Sequence, residues 1–249
     1  MVDVNDDLAN AKPPFKVVAC IPVFGRKPLL EHTIRRLYQK NGVHKVICAG
    51  DQHEDRKLCE SLGAHWVAYK NKPLGMKWNA AFQAAEQFNP DACLFVGSSD
   101  WISDNWIYKM EPLVKEFDLI GTAGCYFLHI GNDFKLCDWP GYEGRRKGES
   151  IGIGRTISRK LLDKLHFKPF EDNIDSSLDY SMISRSNKVA AKVHMTVNAE
   201  LKSLSISTDR WHNKHNFMHH WTNVLKSEIV DNPEPWLKEN FPEAFNVFK

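Results

Sequence analysis

The chain has 249 residues, 43% of them hydrophobic and 26% charged, and a net charge of +2. That is room for one large domain, or a domain with a sub-domain, whose core needs no staples. It excludes disorder of the whole chain and a repeat array, and no apolar stretch nears the roughly 18 residues of a membrane-spanning helix. Residues 1–14, MVDVNDDLANAKPP, are acidic and polar, so they read as a flexible leader and not a secretory signal, and a cytoplasmic location is expected. The six cysteines, at 20, 48, 59, 93, 125 and 137, show no CxxC spacing and are expected to be free, small and buried.

In chain order, KVVACIPVF (16–24) is a continuous apolar run stopped by Gly25, which suits a buried strand; Pro28 then opens a helix. HKVICAG (44–50) reads as a second strand and HEDRKLCESLG (53–63) as a helix closed by Gly63. HWVAY (65–69) is a short strand, GMKWNAAFQAAEQF (75–88) an alanine-rich helix and ACLFVG (92–97) the next buried strand. SDNWIYKMEPLVKEF (103–117) is a helix that Ser103 can cap. Four such alternations predict an α/β fold, a mostly parallel sheet covered by helices on both faces.

Beyond residue 118 the pattern loosens. DLIGTAGCYFLHI and DFKLCDW read as irregular strands, GYEGRRKGESIGIG as a glycine-rich loop, and 156–165 and 175–187 as helices. The tail from Trp211 reads as helical. The expected division has its border near 120, with a larger half at 15–120 and a smaller sub-domain at 121–249, both contributing to one cleft.

Ligands of open α/β sheets lie beyond the carboxyl ends of the strands. No GxGxxG follows the first strand and no GxxxxGK[ST] exists, so neither a dehydrogenase-type dinucleotide site nor a P-loop is present. Polar and acidic residues stand there instead: Pro22, Phe24, Gly25 and Arg26 after the first strand, Asp51 and Asp55 after the second, Asn71, Gly75 and Lys77 after the third, and Ser98, Ser99 and Asp100 after the fourth. A carboxylate at that place suits a hard divalent cation shared with substrate phosphates.

The succession VVACIPVFGR, CAGDQHED, NKPLGMKWNAAFQAA, LFVGSSDWIS resembles the nucleotide-sugar-binding half of GT-A glycosyltransferases, particularly the family 2-like group, over about residues 16–108. The resemblance continues more loosely through GIGRTISRKLLDKLHFKPF to SLDYSM. It implies a donor that is a nucleotide diphosphate sugar, with UDP the first choice, and Mn²⁺ or Mg²⁺ as cofactor. Pro22 and Phe24 would line the nucleoside pocket with Arg26 beside them, and Asp51 would accept a hydrogen bond from the base. Asn71, Gly75 and Lys77 would approach the diphosphate and sugar, and Asn79 would hold that loop. Asp100 would take the last place of the DxD motif, next to Ser99, with Ser98 standing where the first carboxylate belongs.

That substitution leaves a metal one ligand short. WHNKHNFMHH offers His212, His215 and His219 at helical spacing, and His212 resembles a late histidine that completes some GT-A metal sites; a surface histidine cluster is the competing reading. Asp175 and Asp179, with Asp172 nearby, are candidates for the base that deprotonates an acceptor hydroxyl, against a plain role at a helix start, where the dipole favours acids. Trp101 and Trp139 are candidates for stacking on a base or sugar, against plain core packing.

Residues 145–168 carry eight Lys and Arg against Glu149 and Asp163. The run would suit DNA with a hydroxylated base, an anionic glycan or a phosphorylated lipid as acceptor, or would be a solvated helix face. Two rivals to a glycosyltransferase stand: a nucleotidyltransferase making an activated sugar, disfavoured by the missing glycine-rich loop after the first strand, and a binding module that has lost catalysis, with Ser98 as its mark.

Overall fold

A computed structural model describes residues 15–131, 134–196, 201–208 and 226–244. The strands and helices of the first half follow the expected order: β1 (Val17–Pro22), α1 (Lys27–Gln39), β2 (Lys45–Gly50), α2 (His53–Ser61), β3 (His65–Ala68), α3 (Leu74–Ala85) and β4 (Ala92–Phe95). β5 (Asp100–Ile102), α4 (Trp106–Glu116), β6 (Leu119–Thr122), β7 (Cys125–Ile130) and β8 (Phe134–Trp139) come next. The chain continues through β9 (Thr156–Ser158), α5 (Arg159–Lys164), α6 (Leu178–Lys188), β10 (Val193–Thr196), β11 (Ser203–Thr208), β12 (Glu228–Ile229) and α7 (Pro233–Asn240).

The main sheet has seven strands in the order β10-β6-β9-β4-β1-β2-β3. β4, β1, β2 and β3 are parallel neighbours, as are β6 and β10; β9 runs antiparallel between β4 and β6. Successive residues of β1 enter opposite cores. Val17, Ala19 and Ile21 pack with Ile34 and Leu37 of α1, whereas Val18 and Cys20 pack with Trp78, Ala81 and Phe82 of α3. Burial on both faces is why these strands read as unbroken apolar runs. The chain runs outward from β1 to β3 and then crosses back to β4, so the topological switch lies between β1 and β4.

A second sheet, β12-β8-β7-β11-β5, is mostly antiparallel, with β7 and β11 parallel. It packs on α7 through Leu128, Leu136, Leu204, Leu237 and Phe241. All six cysteines are buried and free.

Several local expectations change. The expected irregular strands are the regular β6, β7 and β8. The helix expected at 156–165 gives its first three residues to β9, and Ser158 caps what remains by accepting the Leu161 amide at 3.2 Å. α4 starts at Trp106 after Asn105, so Ser103 is not its cap. α6 starts at Leu178, not at 175. The leader 1–14 and the tail 209–225 lie outside the described residues. No helix among the described residues is long and apolar enough to cross a membrane.

Candidate active site

Beyond the carboxyl end of β4 opens a cleft of about 430 Å³. Phe95 and Asp100 form one wall, Phe127 and Trp139 of the second sheet another, and Tyr142, Arg146, Gly152 and Asp179 the rest. Phe95 is held by Trp78, whose ring stacks on it at 3.8 Å. Such a pair adds about 1 kcal/mol beyond the area it buries. Gly152 is required there, because a Cβ would stand 2.7 Å from the Phe95 ring and 3.2 Å from an Asp179 oxygen.

Two carboxylates from distant parts of the sequence share this cleft, and each is held differently. Asp100 accepts the Gly97 amide at 2.9 Å and the Ser205 hydroxyl at 3.0 Å. Burial pushes its pKa up despite those bonds and the nearby Arg26. Asp179 accepts the Tyr142 hydroxyl at 2.7 Å and pairs with Arg155 at 3.1 Å. Arg155 has no solvent exposure; its Nε donates to Ser150 Oγ at 2.8 Å, its Nη2 to the Ser150 carbonyl, and its Nη1 to Met182 Sδ at 3.3 Å. A guanidinium gripped on every edge fixes the carboxylate it faces.

A second cluster lies at the ends of β1 and β2. Lys77 is buried; its Nζ donates to the Val23 carbonyl at 2.6 Å and to Asn71 Oδ1 at 2.9 Å. Burial lowers its pKa to about 8, against the pull of Asp51 and Asp55. Asp51 is exposed and accepts the Asn71 amide at 3.2 Å. Phe24, 55% exposed, lies with its ring centroid 5.9 Å from the Lys77 ammonium. Asp55 is buried and accepts the Gly25 amide at 2.7 Å, and Gly25 holds φ +67 in the turn that closes β1. Arg26 donates to Ser99 Oγ at 3.3 Å, which ties this corner to the loop of Asp100. Pro22, the last residue of β1, is half-buried there. The structure thus gathers Phe24, Asp51, Asn71 and Lys77 in one place and Arg26, Ser99 and Asp100 in an adjoining one.

Other expected residues are elsewhere or otherwise engaged. The amides at the start of α3 are already bonded: Leu74 donates to Asp175 Oδ1 at 2.9 Å, Gly75 to the Ile174 carbonyl at 2.8 Å, and Met76 to the Asp172 carbonyl at 3.1 Å. Gly75 is there because a Cβ would stand 2.0 Å from the Glu171 carbonyl. That position is closely packed against the 171–175 loop. Asn79 serves the same loop, bonding Phe170 through its backbone at 2.9 and 3.0 Å and Asp172 at 2.8 Å. Asp175 precedes α6, binds the start of α3 and pairs with Lys72 at 3.8 Å, so it does not share the cleft with Asp179.

Trp101 is also withdrawn from the cleft. It is buried in the second sheet, 5.4 Å from the guanidinium of Arg36 and 6.4 Å from Phe241. Ser98 takes part through its backbone, accepting the Thr33 hydroxyl at 3.4 Å. The basic run 145–168 does not form one face: Arg155 is internal, Arg159 pairs with Asp163, Lys160 with Asp118, and Lys168 with Asp172.

Three residues that organise the two clusters carried no sequence signal for the partners they take, although Asp55 stands at an expected strand end. Tyr142 sits in GYEGRR, Arg155 is one of eight basic residues, and Asp55 reads as an ordinary acid of a first helical turn. Only long-range packing gives them partners.

Asp100 and Asp179 are the carboxylates that line the cleft. Every oxygen of the two already accepts a hydrogen bond or faces Arg155, and among the described residues no three His, Cys, Asp or Glu cluster to hold a metal. His212 and His215 lie outside the described residues.

No protein-family profile matches the chain, and neither does any curated protein. Solved structures do. The inositol-1-phosphate CTP transferase from T. maritima superimposes with a TM-score of 0.50 at 13% identity, over 81% of this chain and 93% of that one. S. aureus TarS 1–349 aligns with a TM-score of 0.48 at 14% identity, over 78% of this chain and 58% of its own. A CMP:2-keto-3-deoxy-manno-octonic acid synthetase aligns at 0.45 and 11%, over 73% and 89%. The fold is GT-A-like. At these identities the likeness extends to the fold alone.

Proposed function

We propose that the chain is a nucleotide-sugar-using transferase, and within that class a family 2-like glycosyltransferase that delivers a sugar to an acceptor hydroxyl. The observation that carries this is the pairing of Asp100 and Asp179 across one cleft at the carboxyl end of β4. Asp100 is tied to the sheet through Gly97, and Asp179 is aimed by Arg155 and Tyr142. In this reading the base of the donor lies against Phe24 near Asp51, and the sugar reaches toward the cleft past Arg26 and Ser99. Asp179 takes the proton of the acceptor hydroxyl as cationic character develops on the sugar. Fixed geometry is the main service such a carboxylate renders, since a positioned reactant avoids the entropy of finding its partner. A divalent metal, where bound, would be held by Asp100 and would neutralise the departing diphosphate.

The nucleotidyltransferase reading has the same fold in its favour, the T. maritima relative being a CTP transferase. Against it stands the short turn between β1 and α1. The Val23 amide is bonded to the Ala49 carbonyl and the Gly25 amide to Asp55, so neither is offered to a triphosphate.

Two product assays separate the readings: UDP release from a panel of UDP-sugars, and pyrophosphate release from CTP with a sugar 1-phosphate. UDP release that Asp179→Asn abolishes, together with a UDP-induced rise in Tm that Asp51→Ala weakens, supports glycosyl transfer. Pyrophosphate without UDP hands the site to nucleotidyl transfer, and binding without either product leaves a binding module.

A further inference from the structure

Of the basic residues in 145–168, the one lining the cleft is Arg146, in the short 3₁₀ turn Gly144–Arg146. Its guanidinium lies 3.5 Å over the Tyr142 ring, and its Nε donates to Glu149 at 2.8 Å. These two contacts fix the plane of the fork. They leave Nη2 buried with no hydrogen-bond partner among the described residues. A buried, charged donor without an acceptor is costly, and native proteins keep such groups where a ligand or another acceptor satisfies them.

We propose that Arg146 is an anion-recognising residue of the cleft and that the acceptor carries a carboxylate or phosphate group, which the Nη edge of Arg146 binds while the acceptor hydroxyl faces Asp179. The inference rests on the transferase reading and adds the chemical class of the acceptor. The surrounding charges agree with it. Asp179 is offset by Arg155, Asp100 has Arg26 nearby and Glu149 pairs with Arg146 itself, while Arg145 and Lys147 on either side are exposed and make no ion pair among the described residues. A cationic acceptor in the aromatic wall is disfavoured, because Arg146 already covers a face of Tyr142, whose edge meets Trp139 at 5.0 Å. A long polyanion is disfavoured too, because Arg155, Arg159, Lys160 and Lys168 are turned to other partners. One planar fork suits one anionic oxygen group.

The test is isothermal titration with three probes of one shape: glucose 6-phosphate, glucuronate and methyl glucoside. Wild type is expected to bind one anionic probe at least about tenfold more tightly than methyl glucoside, and the phosphate and carboxylate arms show which group fits. Arg146→Gln should erase that preference, and Arg146→Lys, which keeps the charge but loses the fork, should lose several-fold. Equal affinity for the three probes, no binding of either anion, or a preference that survives in Arg146→Gln overturns the assignment. If the Gln variant fails to fold, unchanged affinity in Arg146→Lys does so. UDP binding is measured in the same samples. Its absence beside an intact anion preference defeats the donor reading alone, and its presence beside no preference defeats this one alone.

Discussion

Arg155→Met removes the charge that aims Asp179, and the structure sets the size of the effect. The substitution strips partners from Ser150 Oγ, the Ser150 carbonyl and Asp179 Oδ1, all around a side chain with no exposure. Breaking a buried ion pair from one side costs about 3–5 kcal/mol. Asp179 retains 21% exposure and the Tyr142 hydroxyl, which moderates its share, so about 3 kcal/mol is expected. Asp179→Asn leaves Arg155 buried without its counter-charge and should cost a similar amount. The double variant Arg155→Met/Asp179→Asn removes both charges, so it should lose only about 3–4 kcal/mol, a coupling of roughly 2–3 kcal/mol. Urea melts followed by tryptophan fluorescence measure each corner of the cycle, and a loss of about 3 kcal/mol corresponds to a Tm lower by about 6–12 °C at this chain length. Strictly additive single variants would show that the pair does not act as one unit and would remove Arg155 as the device that orients Asp179.

Lys77 gives a pH signature. Its folded pKa of about 8 lies below the ordinary 10.5, so the folded state binds fewer protons between those values and the residue's contribution rises with pH across that window. The buried charge is most costly below about pH 8, so wild-type stability relative to Lys77→Met should climb between about pH 8 and 10.5 in urea melts; a flat difference refutes the buried-ammonium account. Gly75→Ala should destabilise by about 2 kcal/mol despite alanine's better helix propensity, because its Cβ would meet the Glu171 carbonyl; an unchanged Tm would mean that the 171–175 loop yields freely. Asp100→Asn should raise Tm slightly at pH 7 by removing a buried charge whose pKa burial already pushes up, while abolishing transfer; a fall in Tm would show that the charge is needed for folding.

The parallel sheet and its helices are legible in the sequence because a strand buried on both faces must be apolar throughout, as in VVACIP and ACLF, and because helices between such strands carry their own periodicity. The carboxyl ends of those strands, and with them Phe24, Asp51, Lys77 and Asp100, follow from the same pattern. The role of each residue there does not. Gly75 and Asn79 look like donor-site residues, and Asp175 like a catalytic base, until the 171–175 loop docks on α3 and engages their hydrogen-bonding groups. Trp101 looks like a stacking platform until the second sheet and α7 close over it. Asp179 acquires its partners from Tyr142, 37 residues away, and from an arginine whose burial no local pattern announces. Hydrophobic periodicity is a local property that the chain carries in its order of residues, whereas desolvation and hydrogen-bond pairing depend on which distant segments meet; the second sheet, the antiparallel β9 and the shared cleft of Asp100 and Asp179 were therefore decided only by the tertiary structure.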